Sequence, residues 1–177
     1  MGDHTAFFYG TLMHPKILKA VIRNDGSHLK VCPAVLLDHT RHEVKYNDYP
    51  GVVSIEKGAG LFERPLTQEE RSVRGTVVAG LTDSDMTALD NFEGDEYIRR
   101  KVQVHSLGPF VDVATHPVHD EALIPPNPPP IPDIFNLPQA ISAETYIYTD
   151  VTCLKPDLWS YSEFVKNNAW KWYGGTR

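Results

Sequence analysis

The stretch TAFFYGTLMHPKILKAVI, residues 5–22, decides how the fold begins. Residues 5–9 are apolar enough for a short buried strand, which Gly10 closes. A helix is expected to open at His14 and Pro15, because proline is favoured in a first helical turn. The apolar face of that helix consists of Ile17, Leu18, Val21 and Ile22. The stretch therefore predicts a strand–loop–helix unit.

The loop of this unit contains Tyr9, Gly10, Thr11 and Leu12. Gly10 has no side chain, so a ligand can approach its backbone closely. The helix start a few residues later favours a carboxylate or a developing oxyanion nearby. The loop is thus a candidate binding site, and a plain structural turn is the alternative that the spacing leaves open.

Further short strands follow along the chain without a regular βαβ alternation. A turn is predicted at Tyr49-Pro50-Gly51, and strands are predicted over residues 31–39, 52–55, 73–81, 101–107 and 144–148. Five or more short strands with only a few helices predict an α+β fold, built on a curled sheet that is mostly antiparallel or mixed.

Two further helices are predicted. Residues 82–93 carry apolar side chains near helical spacing, with Thr82, Asp83 or Ser84 as N-cap and Gly94 at the end. A C-terminal helix is expected over about residues 157–171, where Ser160 and Glu163 have the spacing of a capping box. Eight prolines between residues 117 and 138 predict an extended insert over about residues 108–140.

Composition limits the class of protein. The 177 residues suit one domain, residues 1–177, with a net charge of −6 and no concentrated basic stretch, which argues against nucleic-acid binding. We find no apolar segment long enough to span a bilayer and no signal-peptide pattern at the start. Cys32 and Cys153 are 121 positions apart and suggest no disulfide framework. A cytoplasmic protein with no membrane partner is the expectation.

A second chemical candidate lies in residues 89–94, LDNFEG. Glu93 falls at the expected C-terminal end of the helix, where the partial negative charge of the helix terminus disfavours its ionised form. Partial burial beside Phe92 and Tyr97 would raise its pKa further. A carboxyl group with a raised pKa is suited to proton transfer. The alternative is a solvated acidic turn, since Asp90, Asp95 and Glu96 crowd the same region and Arg99 or Arg100 could neutralise any of them.

Histidine pairs at His39/His42 and His116/His119 have spacings that a metal site could use. Such pairs are more often surface groups that are solvated or hydrogen-bonded, so we assign no metal. The glycines at Gly58 and Gly60 form a lone GxG, which is a weak indication of a phosphate site. No feature of the sequence calls for an organic cofactor.

Several ordered segments together resemble the gamma-glutamyl cyclotransferase-like family, in the branch of plant avirulence-induced proteins and gamma-glutamylamine cyclotransferases. The segments are FFYGTL at 7–12, YPG at 49–51, VRG at 73–75, LDNFEG at 89–94 followed by Tyr97, Arg99 and Val102, and ETYIY at 144–148. Their order and spacing resemble the family over residues 5–107 and 144–150.

The resemblance implies a small β-barrel-like sheet flanked by a few helices, with a cavity for a gamma-glutamyl group. By that similarity the loop of Tyr9, Gly10, Thr11 and Leu12 would bind the glutamyl part of the substrate, and Glu93 would be the catalytic acid/base. The products would be 5-oxoproline and a free amine, formed without a metal or cofactor. Tyr97 and Tyr148 would be cavity walls or hydroxyl donors, with simple packing as the alternative.

The insert at about 108–140 and the C-terminal helix depart from the family pattern, and both could reshape the mouth of the cavity. The leaving amine, the oligomeric state and the pathway therefore stay open. Two other functions also remain. One is an acyl-transfer or tailoring enzyme of specialised metabolism on the same scaffold, and the other is a non-catalytic module that binds a small ligand.

Overall fold

The computed structural model describes residues 2–47, 49–114 and 131–167. The strands in these ranges are β1 (His4–Phe8), β2 (Lys30–Leu37), β3 (His39–Val44), β4 (Pro50–Ser54), β5 (Ser72–Leu81), β6 (Tyr97–Ser106), β7 (Val111–Asp112), β8 (Ile141–Tyr148) and β9 (Leu154–Leu158). The helices are α1 (Pro15–Ile22), α2 (Ile55–Gly58), α3 (Asp83–Glu93) and α4 (Tyr161–Asn167). None of the helices described is long and apolar enough to cross a bilayer.

Five strands close into a barrel in the order β1, β5, β2, β6, β8, and β8 pairs back with β1. The β1–β8 pair is parallel and the other four are antiparallel, so the barrel is mixed. This confirms the predicted α+β fold with a small barrel.

Strand β1 contributes to two cores because its side chains alternate between faces. Phe7, and Tyr9 directly after the strand, belong to one buried cluster with strand residues of β2, β5 and β6. Ala6 and Phe8 belong to another, which includes residues of α1 and α3. The barrel interior and the helix layer thus meet at the end of β1, where the loop of residues 9–12 begins.

A second sheet, ordered β4-β3-β9, includes two strands that the sequence analysis missed, β3 and β9. The prediction of one strand over 31–39 was wrong at its end, because Asp38 has φ 60° and the chain turns there. Strand β3 was missed because its sequence, HTRHEV, consists mostly of polar residues and lacks the apolar alternation of a half-buried strand. Its alternate residues Thr40 and His42 are nevertheless fully buried, since His42 bonds to Thr40 Oγ1 and to the Lys155 carbonyl.

The C-terminal helix begins later than predicted. Residues 154–158 form β9, which pairs with β3, so the expectation of a helix from residue 157 was wrong. Ser160 is the N-cap, and its Oγ accepts from the Glu163 N–H at 3.3 Å. Residues 168–171 of the predicted helix lie outside the described residues, as do residues 115–130 of the proline-rich insert. The described part of that insert includes a single turn of 3₁₀ helix at Ile134–Asn136.

Helix α3 matters most for the site, because it ends at Glu93. Thr82 caps it, with its side chain accepting from the Asp85 N–H and the Asp85 side chain accepting from the Thr82 N–H. Asp85 also accepts from Asn24 Nδ2 at 3.0 Å and lies 2.7 Å from His28 Nε2. One buried carboxylate therefore joins the start of α3 to the loop that follows α1.

Replacing Asp85 with asparagine is expected to lower the free energy of unfolding by about 2 kcal/mol, because an amide cannot accept all of these hydrogen bonds. Burial alone would raise the pKa of Asp85, but the hydrogen bonds hold it below its ordinary value. The stabilisation is therefore present at neutral pH and is lost as the pH falls below about 4. Urea denaturation at pH 7 and pH 3 measures both effects.

Asp83→Asn is the matched control for this prediction. Asp83 lies in the same helical turn and contacts His4 at 2.6 Å, but its side chain is 99% exposed. Its replacement is expected to change stability only slightly. Equal losses for the two variants would contradict the role given to Asp85.

Candidate active site

A cavity opens at one end of the barrel, with about 550 Å³ of empty space that is partly open to solvent. Its wall is formed by the end of β1 with the loop after it, the end of α3 with the turn after it, and the starts of β4 and β6, together with one residue of β8. The lining residues are Phe7, Phe8, Tyr9, Gly10, Thr11, Leu12, Tyr49, Pro50, Phe92, Glu93, Glu96, Tyr97 and Tyr146.

Residues 9–12, the amide loop, bring backbone donors to this cavity. Thr11–Met13 form a short 3₁₀ helix, in which the carbonyls of Gly10 and Thr11 accept from Met13 and His14. The N–H groups of Gly10, Thr11 and Leu12 donate no hydrogen bond to any described residue. Because these residues are buried and buried N–H groups are rarely left unpaired, the amide loop is suited to a ligand acceptor or to water.

Gly10 is required by a close contact rather than by its backbone conformation. A Cβ atom at this position would lie 2.7 Å from Pro50 Cγ and 2.8 Å from Cδ, whereas its φ of −137° is open to other residues. The proline ring therefore packs directly on the backbone of the amide loop. This contact brings together two of the segments on which the resemblance was based.

Glu93 ends α3 at the cavity and is partly buried. Its carboxylate has no hydrogen bond or ion pair to the described part of the chain. The nearby cation Arg99 is engaged elsewhere, at 3.2 Å from Asp90 and 2.9 Å from Glu144. Burial, and then the charges of Glu96 and Asp90, raise the pKa of Glu93 to about 8. The chain thus keeps a carboxyl group that is readily protonated near neutral pH.

Besides Tyr49, three tyrosines line the cavity. The hydroxyl of Tyr9 donates to the Tyr146 carbonyl at 2.5 Å, and that of Tyr97 donates to the Pro50 carbonyl at 2.7 Å. Tyr146 donates to Asp90 Oδ1 at 2.8 Å. Burial raises the pKa of all three hydroxyls above its ordinary value, and the charge of Glu93 contributes in each case. They therefore remain neutral, and their rings form a fixed wall.

Tyr148 does not line the cavity. Its ring packs edge-on against Tyr97, with the ring centroids 5.2 Å apart, and its hydroxyl donates to Glu96 Oε2 at 3.1 Å. Tyr49 donates to the same carboxylate at 2.9 Å. Tyr148 thus lies behind the lining residues Tyr97 and Glu96, so its position differs from the expected cavity wall.

The other predicted site residues, Tyr9, Gly10, Thr11, Leu12, Glu93 and Tyr97, all line this one cavity. Sequence reasoning missed Tyr146, which shares a strand face with Tyr148 and cannot be told apart from it by spacing. It also missed Arg41, which lies behind the amide loop. No group of three or more metal-ligating side chains is found among the described residues, and His116 and His119 lie outside them.

The chain resembles known proteins in sequence. A family model described as gamma-glutamyl cyclotransferase, AIG2-like, matches residues 6–132. Protein AIG2 C of Arabidopsis thaliana is 28% identical over 102 residues, which are 58% of this chain and 52% of that protein. The chain spans about half the length of the curated relatives it matches.

Solved structures share its fold. The solution structure of an Arabidopsis thaliana protein has a TM-score of 0.54 and 21% identity, covering 97% of this chain and 78% of that one. A yeast gamma-glutamyl cyclotransferase specific to glutathione has a TM-score of 0.50 and 13% identity, covering 84% of this chain and 70% of that one. At these identities the likeness establishes the fold alone. Because the family model spans most of the sequence, the chain belongs to the gamma-glutamyl cyclotransferase, AIG2-like family.

Proposed function

We propose that the protein is a gamma-glutamyl cyclotransferase, which converts a gamma-glutamyl amide into 5-oxoproline and a free amine with Glu93 as general acid/base. One observation carries the proposal: a single cavity is lined by a carboxyl group whose pKa is about 8 and by three residues whose backbone N–H groups donate to no described residue.

The chemistry needs one group that both takes and gives protons. The α-ammonium group of the substrate gives a proton to the Glu93 carboxylate, and the free amine attacks the γ-carbonyl carbon. The carbonyl electron pair moves to oxygen, and N–H groups of the amide loop stabilise the negative charge there. When the amide C–N bond breaks, the leaving nitrogen takes its proton from Glu93. Two protons leave the attacking nitrogen and two reach the leaving nitrogen, and Glu93 carries them in turn.

The direct test is release of 5-oxoproline from gamma-glutamyl amino acids, gamma-glutamyl amines and epsilon-(gamma-glutamyl)-lysine. Turnover of at least one compound would support the proposal, and the best substrate would identify the leaving amine. If no compound is turned over but some stabilise the protein against heat, a non-catalytic binding module is favoured. If none is turned over and none binds, a tailoring enzyme with an unrelated acyl substrate becomes the better hypothesis.

Replacing Gly10 with alanine is expected to lower kcat/KM for the best substrate by about 100-fold, because the new methyl group would push the amide loop away from Pro50. Gly60→Ala is the matched control, since a Cβ atom there meets nothing within 4 Å. Steady-state kinetics on both variants measure the effect. Unchanged kinetics in Gly10→Ala would remove the amide loop from the proposed mechanism.

A further inference from the structure

Arg41, on strand β3, lies directly behind the amide loop. Its Nη1 donates to the Tyr9 carbonyl at 2.8 Å and to the Arg74 carbonyl at 2.8 Å. Its guanidinium also stacks on the ring of Trp159, 5.3 Å from the ring centroid. The side chain thus ties the start of the loop to strand β5 and to the segment after β9.

This cation has no carboxylate partner in the described parts of the chain. The arginines Arg64, Arg71, Arg74 and Arg99, by contrast, each pair with an acidic side chain. Arg41 is partly buried, and burial lowers its pKa to about 10. Carbonyl oxygens and an aromatic ring solvate the charge without neutralising it, so its positive potential acts on its surroundings.

The peptide between Tyr9 and Gly10 transmits this effect. In a trans peptide the C=O and the following N–H point in opposite directions, and no cis peptide occurs among the described residues. A guanidinium that fixes the Tyr9 carbonyl therefore also fixes the direction of the Gly10 N–H. Hydrogen bonding at the carbonyl polarises the same peptide, which makes its N–H a stronger donor.

We propose that Arg41 is a positioning residue of the amide loop, which holds the Gly10 N–H toward the ligand and makes the loop selective for a carboxylate. The inference rests on the proposed function only in naming that carboxylate as the one carried by the glutamyl group. Arg41 acts through the Tyr9–Gly10 peptide and does not itself touch the reacting atoms.

The test compares the binding of 5-oxoproline with that of 2-pyrrolidinone, the same ring without the carboxylate, by titration of amide resonances in the 177-residue chain. The variants are Arg41→Lys and Arg41→Gln, because both keep a donor for the carbonyls and only the first keeps the charge. In Arg41→Gln we expect the preference for 5-oxoproline to fall about tenfold. In Arg41→Lys we expect it to stay within about threefold of wild type.

Arg64→Met is the matched control, because Arg64 also lies over an aromatic ring, that of Phe62, but does not line the cavity. Arg64→Met should leave the preference for 5-oxoproline over 2-pyrrolidinone unchanged. Equal losses in the Lys and Gln variants, or weaker binding of both rings by the same factor, would overturn the proposal. The readout needs no turnover, so a loss of preference in Arg41→Gln would support this inference even if the wild-type protein released no 5-oxoproline.

Discussion

The Glu93→Gln variant is expected to lose 5-oxoproline release by about 1,000-fold or more, within the range found for general acid/base groups. Glutamine has nearly the same shape as glutamate but cannot carry a proton between the two nitrogens. The loss should appear in kcat, while binding of 5-oxoproline stays close to that of wild type. Residual activity within tenfold of wild type would exclude Glu93 as the proton carrier.

Asp95→Asn is the control for charge at this end of α3. Asp95 is an exposed carboxylate two positions from Glu93 and does not line the cavity. Removing it subtracts one negative charge from the same turn without touching the cavity. We expect its activity to stay within about twofold of wild type, since exposed charges are strongly screened.

The raised pKa of Glu93 predicts how both the activity and the stability of the protein depend on pH. As a base Glu93 must be ionised, so kcat/KM should rise with pH until about 8, and Glu93→Gln should lack this limb. A rise of kcat/KM centred near pH 4, where an ordinary glutamate titrates, would contradict the raised pKa.

Because the folded-state pKa is raised, Glu93 costs stability as the pH rises from about 4 toward 8. The glutamine variant should therefore be at least as heat-stable as wild type at pH 9.

Replacing Gly75 with alanine is expected to lower the free energy of unfolding by about 3 kcal/mol or more, which is a large part of a typical domain's stability. Gly75 lies in β5, where the strand pairs with β2 at Ala34 and lies against β1. A Cβ atom there would be 2.2 Å from the Phe8 carbonyl oxygen and 2.7 Å from Phe7 Cζ. The carbonyl belongs to the barrel backbone, so relief requires the β1–β5 contact to open.

Urea denaturation of three alanine variants checks this explanation by the order of their free energies of unfolding. Gly75→Ala should be the least stable, because it collides with backbone. Gly10→Ala should lose less, because it meets only the ring of Pro50, and Gly60→Ala should match wild type. A Gly75→Ala protein within about 1 kcal/mol of Gly60→Ala would show that the barrel accommodates the extra methyl group.

The elements that sequence analysis predicted best are those with strong local signals. Helix α3 was found because Thr82 can cap it and Gly94, with φ 69°, can end it. Strands β5 and β8 were found because their residues are β-prone or alternate. Strands β3 and β9 were missed. Strand β3 buries polar side chains whose partners lie elsewhere in the chain, and the end of β9 overlaps the start of the predicted C-terminal helix.

The candidate site, too, has features that local sequence patterns predict and features that depend on tertiary contacts. The sequence alone predicted that a strand ends at the loop containing Gly10. It also predicted that Glu93 lies at the C-terminal end of a helix, where the helix terminus disfavours a negative charge. Arg99 could have neutralised Glu93 on sequence grounds, but in the fold it pairs with Asp90 and Glu144. Burial, and then the charges of Glu96 and Asp90, therefore raise the pKa of Glu93 without a compensating cation. That choice depends on distances across α3, β6 and β8, which no local pattern contains.

Only the closed barrel brings Gly10 and Glu93 to one cavity, although 83 positions separate them. The position of Arg41 behind the loop likewise follows from the packing of β3 against the end of β1. Capping and side-chain alternation act over a few neighbouring residues, so the sequence by itself determined the segments and their chemistry. Burial, pairing of charges and solvation of a cation depend on atoms that are distant in the chain, so only the tertiary structure decided which of those segments meet.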